Sequence, residues 1–151
     1  MRLCAECSRH RFAAGRRLVL GGVEIDHDRG LAGHSDADVL AHAVIDALLG
    51  AAGEGDIGAL FPDDDPRWRD ADSIDLLRTV VGTIAGRIVN IDATVVCEQP
   101  RMAPYKAEME RTIADATSAR VTVKATTNEG MGWIGRGEGI ACIAVASVED
   151  D

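Results

Sequence analysis

Histidine and aspartate crowd into one stretch of this chain. In GHSDADVLAHAVIDALLGAAGEGDIG, His34, Asp36, Asp38, His42, Asp46 and Asp56 fall within one loop and the helix expected to follow it. Imidazole supplies neutral nitrogen and carboxylate anionic oxygen, a mixture that suits a borderline divalent cation such as Zn²⁺ or Mn²⁺. Density alone leaves a second reading open, because a lone surface histidine is commonly incidental and aspartates at a helix start cap its free N–H groups. A second cluster, Cys4-x2-Cys7-x2-His10, offers thiolate and imidazole for a zinc site of its own. In an extended strand, however, Cys7 faces away from His10, and no second Cys/His pair at finger spacing completes a tetrahedron.

The helix carrying the first cluster is expected to start at a cap on Ser35 or Asp36 and to run to about Ala52. Val39, Ala43 and Ala47, with Val44 and Leu48, form its apolar rows, whereas Asp38, His42 and Asp46 recur at i, i+4 and i+8 on another face. One side should pack and the other carry chemistry. Ahead of it, RRLVLGGVEID predicts a hairpin of Leu18–Leu20 and Val23–Ile25 turning through Gly21-Gly22. Behind it, GEGDIGALFPDDDPRWRDAD is rich in Gly, Pro and Asp, has no period, and predicts a long surface loop.

Further helices are expected from Ser73 to about Ala85, capped by Ser73 or Asp72, and from about Pro104 to Thr117. Strands are expected in IVNIDATVVCE, which Pro100 stops, in RVTVKAT and in GIACIAVASV, the last two joined by a Gly-rich turn too short for a crossover. This order of elements predicts an α/β (α+β) fold: one domain over residues 1–151, a sheet with helices packed on one face.

Composition narrows the function. The 46% of hydrophobic residues suffice for a core, and with only 3% aromatics that core must be filled by Ala, Val, Ile and Leu. Twenty-five acidic against 16 basic residues give a net charge of −9, which repels polyphosphate backbones and argues against nucleic acid as a partner. An anionic substrate then needs locally concentrated positive charge. MRLCAECSRH lacks an apolar stretch of signal-peptide length and no run is long enough to span a membrane, so a cytoplasmic location without membrane association is expected. The four cysteines are expected to be reduced, with Cys97 and Cys142 buried among apolar neighbours.

The first stretch, together with DIGALFPDDDPRW, DADSIDLL, NIDATVV, QPRMAPY and VKATTNEGMGWIGRGEGIA, resembles the 2-C-methyl-D-erythritol 2,4-cyclodiphosphate synthase family over most of the chain and in order. The resemblance implies a phosphorus–oxygen lyase of non-mevalonate isoprenoid biosynthesis. In that reaction the 2-phosphate of 4-diphosphocytidyl-2-C-methyl-D-erythritol 2-phosphate attacks the β-phosphate, closing a cyclic diphosphate and releasing CMP. It also implies a ferredoxin-like homotrimer whose active sites lie between adjacent subunits. Such a reaction needs positioning and charge neutralisation and no protein nucleophile.

Carried over residue by residue, the resemblance implies a transition metal, Zn or Mn, at His10 and His42, and a second cation, Mg or Mn, held with the diphosphate by Glu129. It assigns His34 and Thr127 to the transferring phosphate and Ser35 to substrate phosphates. The cytidine pocket falls on the stretch from Cys97 to Ala103, Pro100, Arg101 and Met102 included, together with Ala125, Thr126 and Thr127, with Asp56, Ile57 and Gly58 near the ribose. Phe61, Pro62, Asp63, Asp64 and Asp65 form a loop closing over the methylerythritol, and Trp133 and Arg136 line the interior around the symmetry axis.

One position departs. The family's metal-binding Asp-x-His on the first strand is Ser8-x-His10 here, inside a segment, Cys4 to His10, where the family is Gly-rich. A neutral hydroxyl is a poor ligand beside a carboxylate, and catalytic zinc normally keeps three protein ligands. Glu6 and Cys7 are the nearby groups able to replace it. The alternative is an impaired relative that binds a cytidine nucleotide without turnover.

Overall fold

The computed structural model describes residues 1–151. Every second residue of the N-terminal segment turns inward, and that alternation makes strand β1 (Arg2–Ala13): Cys4, Glu6, Ser8 and His10 are partly buried, while Leu3, Ala5, Cys7 and Arg9 face out. The hairpin β2 (Leu18–Leu20) and β3 (Val23–Ile25) forms as expected, its two turn residues Gly21 and Gly22 holding φ of 58° and 73°. Positive φ at both positions is what a tight two-residue hairpin turn demands, and glycine adopts it without strain. A two-residue strand, β4 (Gly30–Leu31), then pairs with the end of β1.

Helix α1 (Val39–Ala52) starts later than expected. Ala37 takes a positive φ of 56°, and Asp38 is the N-cap, its Oδ1 accepting the N–H of Ala41 at 2.9 Å. The same carboxylate accepts the N–H groups of Gly21 and Gly22, each at 2.8 Å, so it fastens the hairpin to the helix start. Burial pushes its pKa up to about 7, against the pull of these three N–H donors. The helix is buried on nearly every side, Leu40, Ile45 and Leu49 as fully as the predicted apolar rows. The expected chemical face is therefore corrected: Asp38 is a cap, Asp46 accepts the N–H of Ile57 at 2.7 Å, and only His42 among the three turns toward a cavity.

The predicted loop holds two short helical pieces, α2 (Ile57–Leu60) and a 3₁₀ turn at Pro66–Trp68, each started by an aspartate side chain, Asp56 on the Ala59 N–H and Asp65 on the Arg67 N–H. Phe61 and Trp68 pack edge to face, 4.9 Å between centroids, and close the loop on itself. Helix α3 (Ser73–Val81) follows, capped by Asp72 and ending at Gly82, earlier than predicted. After it come β5 (Arg87–Val96), α4 (Lys106–Thr117), β6 (Arg120–Thr126), the single turn α5 (Gly132–Gly135) and β7 (Gly139–Glu149).

The large sheet runs β4-β1-β7-β5-β6, with β5 and β6 parallel and the other pairs antiparallel. The last two strands are not neighbours: β6 and β7 flank β5, and the turn between them, carrying α5, passes the end of that strand. Helices α1, α3 and α4 pack on one face, sharing a core of Ala, Val, Ile and Leu into which Cys97 and Cys142 are buried. The other face carries no helix and leaves Leu3, Ile143 and Val145 exposed at 69%, 47% and 38%. No helix is long and apolar enough to cross a membrane.

Candidate functional site

Strand β1 and helix α1 bring together two histidines 32 positions apart, with His10 Nε2 and His42 Nδ1 at 3.1 Å. His10 Nδ1 lies 2.9 Å from the carbonyl of Ala32, to which it can only donate. The proton on Nδ1 leaves Nε2 bare and aimed at its partner. His42 Nε2 is 2.9 Å from Ser73 Oγ and 3.2 Å from Ser35 Oγ. Burial lowers the pKa of both rings, His42 to about 3 with His10 adding to the effect, so protonation is disfavoured where two nitrogens converge.

A cation other than a proton fits this place. Two nitrogens bound to one tetrahedral ion at about 2.0–2.1 Å lie about 3.3 Å apart, close to the separation found here. The donor set is nevertheless short, since nowhere does a group of three His, Cys, Asp or Glu side chains converge. Ser8 shares the inward face with His10. Glu6 turns toward Cys4, whose Sγ lies 3.6 Å from its carboxylate, and toward Asp46. Cys7 sits on the opposite face, so neither residue replaces the missing carboxylate and Cys4, Cys7 and His10 form no site.

The pair opens into a cavity of about 550 Å³ lined also by His34, Ser35, Ile57, Gly58, Phe61, Pro62, Asp63 and Asp64. His34 is held by its Nε2, 2.8 Å from the carbonyl of Asp65. Arg16 clamps the backbone of this loop, donating to Gly33 O at 2.9 Å and Ser35 O at 2.6 Å. Asp65 itself turns away to Arg67, which pulls its pKa down, and Asp56 is occupied as the cap of α2. Trp68 and Leu76, which sequence did not single out, complete the wall.

A second cavity, of about 290 Å³, is lined by Cys97, Pro100, Arg101, Met102, Ala103, Ala125, Thr126 and Thr127. Burial raises the Cys97 thiol to about 11, which makes it a packing group. Glu98 falls inside the expected Cys97 to Ala103 stretch, whereas sequence missed Lys106. Glu98 Oε1 accepts the N–H groups of Asn128 at 2.9 Å and Gly130 at 3.2 Å, shaping the turn that carries Glu129. Lys106 lies just past the motif QPRMAPY, where a lone Lys at a helix start gives no pattern to find. Glu129 and Trp133 line neither cavity, and Arg136 pairs with Glu138 at 2.7 Å. The two cavities share no residue, so His34 and Thr127 stand in different walls of one chain.

Residues 1–149 match the model of the YgbB family. A 2-C-methyl-D-erythritol 2,4-cyclodiphosphate synthase of Salinibacter ruber is 56% identical over 146 residues, 93% of this chain and 93% of that protein. Its counterpart in Moorella thermoacetica is 56% identical over 147 residues, 93% and 90% of the two chains. Among solved structures, the bifunctional IspDF of Campylobacter jejuni superposes with a TM-score of 0.91 at 40% identity, over 99% of this chain and 42% of that longer one. A 2C-methyl-D-erythritol-2,4-cyclodiphosphate synthase in a CDP-bound form gives 0.87 at 30% identity, over 98% and 100%.

Proposed function

The chain belongs to the YgbB family, and from that premise we propose that it catalyses the reaction for which its curated relatives are named. It would convert 4-diphosphocytidyl-2-C-methyl-D-erythritol 2-phosphate to 2-C-methyl-D-erythritol 2,4-cyclodiphosphate and CMP. The convergence of His10 and His42 on one cation position beside the larger cavity carries this reading. An oxygen of the 2-phosphate attacks the β-phosphorus. The bond from that phosphorus to the bridging oxygen breaks, and the electron pair leaves with CMP.

His10 and His42 would hold a zinc or manganese ion, which as a Lewis acid withdraws charge from phosphate oxygens. His34 and Ser35, fixed by Asp65 and Arg16, orient phosphates at that end of the substrate. Phe61, Pro62 and Trp68 supply an apolar wall for the methylerythritol carbons and exclude water. The cavity around Arg101 and Met102 takes the cytidine, with Arg101 and Lys106 offsetting nucleotide charge in an otherwise acidic protein. The CDP-bound relative supports this ligand class. Glu129, an exposed hard oxygen ligand next to Thr127, suits Mg²⁺ or Mn²⁺ on the diphosphate.

Because the two cavities share no residue, we assign them to one site between copies: the His34 cavity of one chain meets the Thr127 cavity of the next. The uncovered sheet face with Leu3, Ile143 and Val145 supplies apolar surface for a homotrimer. The test is ³¹P NMR of purified protein with the substrate and Zn²⁺, Mn²⁺ or Mg²⁺. The expected result is CMP and the cyclic diphosphate in equal amounts, and absence of both across all three ions would overturn the reading.

A further inference from the structure

Two hydrogen bonds behind His42 decide which of its nitrogens is bare. Ser73, fully buried in the first turn of α3, gives its hydroxyl proton to Asp36 Oδ1 and its backbone N–H to Asp36 Oδ2 at 3.1 Å. A carboxylate only accepts, and a serine hydroxyl has one proton to give. The Ser73 oxygen therefore turns lone pairs toward His42 Nε2, 2.9 Å away, and accepts from it. With the proton on Nε2, His42 Nδ1 faces His10 Nε2 as a second lone pair. Ser35 Oγ, already accepting the Ala37 N–H at 3.2 Å, retains its own proton. It can donate to the same nitrogen, a bond that favours the opposite tautomer.

We infer that Asp36 and Ser73 are positioning residues of the cation site: through His42 they hold the imidazole in the tautomer that presents Nδ1 to the ion. They also place a negative charge two hydrogen bonds behind that ligand, in a chain whose Ser8 supplies none in front of it. The inference rests on the two-histidine cation site proposed above. An outer oxygen partner fixes ring orientation and raises basicity, and its loss typically costs about 10–100-fold in metal affinity. At His10 the Ala32 carbonyl plays this part. At His42 a side chain does, which exposes it to mutation.

A purely structural tie between the 34–38 loop and α3 is the competing account, and two variants of the whole protein separate them. Ser73→Ala removes the acceptor while leaving the residue-73 backbone bond to Asp36, and Asp36→Asn keeps the shape while replacing a charged group that only accepts with a neutral one that also donates. Zn²⁺ affinity is read by competition with a chromophoric chelator, and the His42 tautomer by ring ¹⁵N shifts of metal-free protein. The expected wild-type tautomer is Nε2–H. In Ser73→Ala the proton moves toward Nδ1 and Zn²⁺ affinity falls about 10–100-fold, and Asp36→Asn changes both in the same direction. Should Ser73→Ala fail to fold, Asp36→Asn alone decides. A folded variant with wild-type affinity and tautomer overturns the inference, even if its melting temperature drops. Wild-type protein that binds no Zn²⁺ removes the cation reading itself, a failure seen before any variant is compared.

Discussion

Asp38→Asn tests whether a buried charge is tolerated at the start of α1 for the sake of the hairpin it fastens. The wild-type carboxylate accepts from Gly21, Gly22 and Ala41 with two oxygens. The variant has one oxygen and an NH₂ group that cannot accept, so at least one buried N–H loses its partner, at a cost of about 1–3 kcal/mol. Charge works the other way. The folded pKa stands near 7 against 3.8 for an unperturbed side chain, so folding takes up a proton between those values. The associated stability is full below the unfolded pKa and is lost as pH rises through about 7.

From about pH 5 to about pH 7 that loss amounts to about 2 kcal/mol, because the slope of about 1.4 kcal/mol per pH unit flattens as the folded group begins to ionise. The variant does not titrate there. Urea unfolding of both proteins at one fixed concentration across this range gives the difference, in which titrating groups not coupled to Asp38 cancel. The stability of wild type relative to the variant should fall by about 2 kcal/mol between about pH 5 and about pH 7 and level off by about pH 8. A difference that stays flat, or widens as pH rises, refutes the reasoning.

Three further outcomes follow from the geometry. Ser8→Asp restores an anionic ligand on the inward face of β1 and should tighten Zn²⁺ about tenfold or more in chelator competition; an unchanged affinity would mean that two imidazoles already suffice. Gly135→Ala drives a Cβ into the backbone of Gly130, which cannot yield as a side chain can. It should cost about 1–3 kcal/mol and weaken CMP binding by calorimetry as the Glu98-held turn shifts. Gly50→Ala places a Cβ on Cys4 Sγ, so it should destabilise alone and recover in combination with Cys4→Ala, a coupling of about 0.5 kcal/mol or more in a double-mutant cycle.

Elements whose cause is local were legible in the sequence. Gly21-Gly22 announced the hairpin, and RVTVKAT the strand Arg120–Thr126, because turn chemistry and alternation need no distant partner. Helix α1 starts later than Ser35 or Asp36 predict because its determinants are tertiary: both are good caps in isolation, yet Ala37 takes a positive φ and Asp38 is claimed by the hairpin. Likewise, Asp46 and Asp56 had ligand chemistry but spend it on backbone N–H groups. His10 and His42 were paired by resemblance, since no spacing rule connects a strand residue to one 32 positions on. Ser73 looked like a helix cap, and its bond to Asp36 became visible only with both segments in place.

In the trimer proposed above, the separation of the two cavities has a thermodynamic consequence. There a substrate reaching from the His42 wall of one chain to the Thr127 wall of the next would also cross-link them, and binding and assembly would be linked functions. Whatever free energy the nucleotide loses when copies part is returned as resistance to parting when it is bound. On that reading the affinity for substrate falls as the protein is diluted below its assembly range, and the smallest unit with the full substrate constant is the contact between two chains.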